Sequence, residues 1–174
     1  MKHIKYILAD LQAEYDAFQG VQSKLRLAVF STGFHLCVLI RLQHAFQRIP
    51  VVGGILRRTL FVITSMLKGC EIDQAAQIGP GIRFPHPFGI VIGPVTVGAN
   101  ATIMHQATLG RSDYDMKKPF KMILGQSVTV GAGAKVLGNV TIGDYATIGA
   151  NAVVLKNVPA NSLAVGIPAT IKRK

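Results

Sequence analysis

Acidic side chains are scarce in this sequence. Eight Asp and Glu stand against nineteen Lys and Arg in 174 residues, a net charge of +11. None of the acids lies between Asp16 and Glu71, where Lys24, Arg26, Arg41, Arg48, Arg57, Arg58 and Lys68 all fall. Tryptophan is absent, and cysteine occurs only as Cys37 and Cys70. With no CxxC spacing, these two exclude a disulfide framework and a cysteine-bound zinc, and they read as buried free thiols in a reducing compartment. No low-complexity tract is present, and a hydrophobic share of 49% supplies a sizeable core, which excludes a disordered chain. The N-terminus carries charges inside its apolar periodicity, so it is not a signal peptide. The uncharged run 27–40 has 14 residues, short of the ~20 that a membrane-spanning helix needs. These absences point to a cytoplasmic protein. No aromatics alternate with the basic charges and no recognition motif is visible, so nucleic acid is excluded as a partner. The basic, apolar segment fits an anionic membrane surface, an acidic partner or a helical subunit interface with a solvated basic rim.

What is present divides into two periods. Residues 1–70 read as helices, with Ile4, Ile7, Leu8, Leu11, Tyr15 and Phe18 at helical spacing in the first. Gly20 is expected to end it. A second helix is expected from Val21 to Ile49, before Pro50, then a turn at "VVGG" and a third helix over 55–67. The second and third are apolar most of the way round, as buried helices are.

After Cys70 an aliphatic or aromatic residue returns every six positions: Ile72, Ile78, Phe84 and Ile90, then after a slip of one Val97, Ile103 and Leu109. A break follows. The beat resumes with Leu124, Val130, Val136, Ile142, Ile148 and Val154. Such a clock makes the chain mainly β: a parallel β-helix of hexapeptide repeats over 71–160, with an α-helical N-terminal region and a C-terminal tail, 161–174. Three six-residue units, each one short strand and one turn, make a coil with the large residue pointing inward. The break holds a polar, charged loop, 110–123, of the kind that serves function or an interface when thrown out of a rigid solenoid.

Register places two histidines. Phe84 and Ile103 are inward residues three units apart, and His86 and His105 each follow by two. They are therefore expected at one turn on adjacent coils. Glu71, just before Ile72, stands at a corner of the preceding coil, within consideration as a partner. Two imidazoles and a carboxylate on one edge are the parts of an acid–base site. A zinc site needs at least three protein ligands, and the coils supply two histidines, so no metal is expected. His3, His35 and His44 lie in the helical half and read as structural.

The stretches "EIDQAAQIGPGIRFPHPFGIVIGPVTVGANATIMHQATLG" and "VGAGAKVLGNVTIGDYATIGANAVVLKNVPANSLAVGIPA" resemble the hexapeptide acyltransferases over 71–170. The similarity is to the serine acetyltransferase branch and its relatives that O-acetylate bacterial surface polysaccharides. It implies a left-handed β-helix assembled as a homotrimer, or a dimer of trimers, with acetyl-CoA in clefts between subunits. By resemblance, His86 is the catalytic histidine, Glu71 replaces the aspartate that pairs with it, Ala132 and Ala150 meet the pantetheine arm, and the Gly110 amide lies near the thioester. His105 sits in a stretch like that of the colanic-acid and capsule enzymes. Lys172 in the basic tail suits the CoA phosphates, although Lys172, Arg173 and Lys174 also fit a solvated terminus. The chain departs from serine acetyltransferases at Lys121, where they carry a second histidine, at Pro85, where they carry an aspartate, and in its shorter, more basic N-terminal region. These departures, with the basic apolar segment, give the expected function: acetyl-CoA-dependent O-acetylation of a sugar hydroxyl in a surface polysaccharide or its precursor, at the inner face of the cytoplasmic membrane. The alternatives are serine O-acetylation for cysteine biosynthesis and a non-catalytic trimeric scaffold.

Overall fold

The computed structural model describes residues 2–19, 22–47, 49–113, 115 and 117–174. Four helices come first: α1 Lys2–Ala17, α2 Lys24–Phe30, α3 Thr32–Phe46 and α4 Val52–Lys68. The expected single helix over 21–49 is thus two. Ser31 breaks it, because serine competes for backbone hydrogen bonds and favours the helix N-cap. Its backbone N–H closes α2 on the Leu27 carbonyl at 2.9 Å, and its hydroxyl accepts from the Phe34 N–H at 3.1 Å to open α3. The axes bend by 75° there. Gly33 lets the start of α3 press on the first coil, since a Cβ at that position would lie 2.5 Å from the Phe84 carbonyl oxygen. Of the "VVGG" stretch only Val51 lies in a turn, and Val52, Gly53 and Gly54 open α4, which ends on the left-handed Gly69, φ +58°. The expected stop at Gly20 and start at Val21 lie outside the described residues.

The rest of the chain winds through three parallel sheets. The first stacks β1 Glu71–Ile72, β3 Val91–Ile92, β6 Thr108–Gly110, β9 Lys135–Leu137 and β12 Val153–Val154. The second stacks β2 Gln77–Ile78, β4 Thr96–Val97, β7 Ile123–Leu124 and β10 Thr141–Ile142. The third stacks β5 Thr102–Ile103, β8 Thr129–Val130, β11 Thr147–Ile148 and β13 Ser162–Val165, followed by β14 Thr170–Arg173, which returns antiparallel. Residues 161–174 therefore lie on the solenoid and finish one of its faces.

The strand pairs correct the clock at one beat. Ile72 stands beside Ile92, and Ile92 beside Leu109, so the fourth inward residue is Ile92 rather than Ile90. Each unit buries two side chains, the beat and the residue two before it: Ala101 with Ile103, Ala134 with Val136, Ala152 with Val154. Ile90 is this companion of Ile92, and Cys70 is that of Ile72, which is why both are fully buried. The chain takes eight residues from Phe84 to Ile92 and five from there to Val97, a net slip of one with its surplus at the corner holding His86.

The helices close the first coil with ion pairs. Asp10 and Arg41, each 1% exposed, join α1 to α3. Asp10 also accepts from the Gly81 and Ile82 N–H groups, and Arg41 donates to the Ile78 and Gly79 carbonyls. Apart from this docking, α4 is inside out. Gly53 and Thr64 are buried, while Ile55, Leu56, Val62, Ile63, Met66 and Leu67, at helical spacing, face outward. Among the described residues no single helix is long and apolar enough to cross a membrane; α2 and α3 pass such a test only together, across their bend.

Candidate active site

Four expected site residues line up on one corner. His86 follows Phe84 by two, His105 follows Ile103, Ala132 follows Val130, and Ala150 follows Ile148; these beats share the third sheet or the bridge that extends it. The corners are laced by backbone bonds: Gln106 N–H to the Phe88 carbonyl at 2.8 Å, Gly133 N–H to His105 at 2.9 Å, Asn151 N–H to Ala132 at 2.8 Å. Up this edge run two imidazoles and then two methyl groups. In the first corner His86 adopts φ +52° and stands exposed. Its ring meets that of His105 edge-on, with centroids 6.3 Å apart and planes at 80°. His105 is half-buried, and its Nδ1 is shielded from water without a hydrogen-bond partner among the described residues.

The other expected residues are more scattered. Glu71 heads β1, exposed, with its N–H on the Ile90 carbonyl at 2.8 Å. No hydrogen bond or ion pair joins it to His86 among the described residues. Gly110 ends β6, one face away from the histidine corner, and a Cβ there would meet nothing within 4 Å. The loop after it folds on itself: Arg111 donates to the Asp115 and Lys118 carbonyls and lies 4.9 Å over the Phe120 ring. Lys121 is exposed, with its N–H on Asn139. Lys172 is exposed on β14 opposite Leu163.

A group at the site was missed from sequence. Glu14 of α1 accepts from the Ser31 hydroxyl at 2.8 Å and from Arg83 Nε at 3.4 Å. With Phe18, Phe30, Ser31, Arg83 and His86 it lines a cavity of about 250 Å³. Asp10 and Glu14, four apart, are the two buried acids of α1. That spacing on a helix whose other face is apolar was the readable clue. Elsewhere, burial and then the Arg41 charge hold His44 below the ordinary imidazole value, and burial lifts the Cys37 thiol well above its own. Among the described residues no three His, Cys, Asp or Glu side chains cluster as a metal would require.

The hexapeptide profile "Bacterial transferase hexapeptide (six repeats)" matches residues 121–156. A serine acetyltransferase of Helicobacter pylori strain J99 is 39% identical over 151 residues, 86% of either chain. One from Synechococcus elongatus is 34% identical over 170 residues, 96% of this chain and 68% of its own. The chain belongs to the serine acetyltransferase family of hexapeptide acyltransferases. Crystal structures agree: a Neisseria gonorrhoeae serine acetyltransferase in complex with serine superposes with a TM-score of 0.88 at 31% identity, over 98% of this chain and 69% of that one. A Brucella abortus serine acetyltransferase in complex with coenzyme A gives 0.89 at 31%, over 98% and 67%. The fold is thus the family's left-handed parallel β-helix, and the protein is an acetyl-CoA-dependent O-acyltransferase with acetyl-CoA as co-substrate. The expected acceptor is corrected. The relatives and solved neighbours are serine acetyltransferases, which overturns the reading of a sugar hydroxyl in a surface polysaccharide. That reading rested on Pro85, Lys121 and the basic N-terminal half, and single-site departures of this kind weigh less than a match along 98% of the chain.

Proposed function

We propose that the chain transfers the acetyl group of acetyl-CoA to the hydroxyl of serine, the acetylation step that feeds cysteine biosynthesis. One observation carries this reading: an exposed histidine, its ring edge-on to a second one, stands in a chain that overlays a serine-bound family member along nearly its whole length. In the proposed step His86 takes the hydroxyl proton as the serine oxygen attacks the thioester carbonyl. The tetrahedral intermediate collapses, the C–S bond breaks, and His86 returns the proton to the CoA sulfur. His105 packs the His86 ring from the next coil. The Gly110 N–H is the proposed oxyanion donor. Ala132 and Ala150, small residues further up the corner, leave room for the pantetheine arm, and Lys172 offers a cation to the CoA phosphates. Glu71 is proposed as an orienting carboxylate that reaches His86 only once substrates are seated.

The chain is proposed to work as a homotrimer. The outward apolar stripe of α4 supports this: it runs to Gly69, where the Phe88 ring comes close, beside the His86 corner. A neighbouring copy covering the stripe would wall the open side of His86. Acetyl-CoA and serine are both cytoplasmic metabolites, which supports a cytoplasmic site of action. The test follows CoA release with serine as acceptor, for wild type and His86→Asn. Turnover with serine that the variant loses is the expected result; CoA release independent of serine sinks the proposal. Light scattering that gives a monomer at working concentration would remove the trimer.

A further inference from the structure

We infer that the cavity between α1, α2 and the Arg83–His86 corner recognises the two charges of an amino-acid acceptor, with Glu14 taking the ammonium and Arg83 the carboxylate. The inference rests on the serine reading and names its specificity residues. At about 250 Å³ the cavity falls below the roughly 300–1,000 Å³ of sites for drug-sized ligands, so it suits a small metabolite. Its walls carry one acid and one guanidinium, with Phe18 and Phe30 beside them.

The contrast within α1 is informative. One helical turn earlier, Asp10 meets Arg41 through two bonds of 2.9 and 3.1 Å, and the partners' remaining polar atoms are bound to backbone. At Glu14 the same pairing of a helix acid with an arginine is left open. A single contact of 3.4 Å joins them, longer than the ~2.7–2.9 Å of a strong charge-assisted bond. Both Nη groups of Arg83 lack a hydrogen bond to the described residues. The Arg83 side chain keeps 27% of its surface exposed and Glu14 10%. A carboxylate fits the free guanidinium edge, an ammonium fits the Glu14 oxygens, and His86 lines the same cavity. A fork of parallel donors is what distinguishes arginine from lysine in such a site.

The experiment truncates the acceptor and the enzyme together. Serine, ethanolamine (no carboxylate) and 3-hydroxypropanoate (no ammonium) are compared in wild type, Glu14→Gln, Arg83→Met and Arg83→Lys. Wild type is expected to prefer serine over either truncated acceptor by about 100-fold or more in kcat/KM, since a site built for a charged group rejects an analogue lacking it. Arg83→Met should erase the preference over ethanolamine and leave that over 3-hydroxypropanoate; Glu14→Gln should do the reverse. Arg83→Lys, if the methionine variant folds poorly, should recover part of the lost preference. The KM for acetyl-CoA should not move. Equal losses on all three acceptors would mean that the pair only holds the fold and would overturn the inference. A wild type inert toward serine yet able to bind CoA would sink the serine reading itself, a distinguishable failure.

Discussion

Arg41 grips Asp10 with two nitrogens, 2.9 and 3.1 Å from its carboxylate oxygens, and neither residue reaches water. The pair also satisfies two carbonyls and two amides of the 78–82 turn. Asp10→Ala is therefore expected to cost about 3–5 kcal/mol, because a buried guanidinium loses its counter-charge. Replacing both partners with Leu and Met should not restore wild-type stability, since the four backbone groups stay unpaired. Urea unfolding of the two variants measures this; a double variant as stable as wild type contradicts it.

His86→Asn removes the proposed base while keeping a residue that tolerates φ near +52°. Expected is a loss of about 10²–10⁴ in kcat with an unchanged thermal midpoint. Glu71→Gln should cost at least tenfold less than this, as no bond ties Glu71 to the ring in the unliganded chain. Steady-state kinetics of both variants on one enzyme preparation decide the order.

His44 links stability to pH. Burial and the neighbouring Arg41 charge lower its folded value below 6.5, so below that pH the unfolded state binds the extra proton more readily. Stability should fall as pH drops through about 6.5 and level off once the folded imidazole also protonates. His44→Gln should flatten this slope. Denaturant midpoints at pH 7.5 and 5.5 for both proteins provide the comparison, and parallel slopes would refute it.

The thiols make a probe of unfolding. Cys37 is 2% exposed, donates weakly to the Ile82 carbonyl and is held protonated by burial; Cys70 is 0% exposed. Only the thiolate reacts readily. Ellman's reagent should therefore label neither cysteine in the native protein and both in urea. Prompt labelling of the folded chain would mean that the first coil opens locally.

The solenoid was legible because its two constraints are local: a large residue inward every sixth position and a permissive backbone at each corner. One beat was misread, since Ile90 and Ile92 are equally aliphatic and only strand pairing says which sits on the sheet. The stacking of His86 on His105 followed from register alone. The break at Ser31 is harder to read, because a serine inside an apolar run is compatible with helix, and the capping bonds that close α2 and open α3 on it appear only in the structure. Glu14 and Arg83 stand 69 positions apart, and no period connects a helix to the coil it lands on. The acceptor is hard to read for a related reason: Pro85 and Lys121 are single positions, and the proposed acceptor cavity draws its charges from α1 and the first coil.

A stack of short parallel strands invites growth, since each end presents a template for another coil. In this chain neither terminus of the stack is left bare on the third face: β14 turns back against β13 with reversed polarity, and at the opposite pole α1 and α3 sit pinned over the first coil. The hairpin and the helical lid thus act as stoppers against end-to-end polymerisation. A chain trimmed after Val165 would expose a raw β13 edge and be prone to fibre formation.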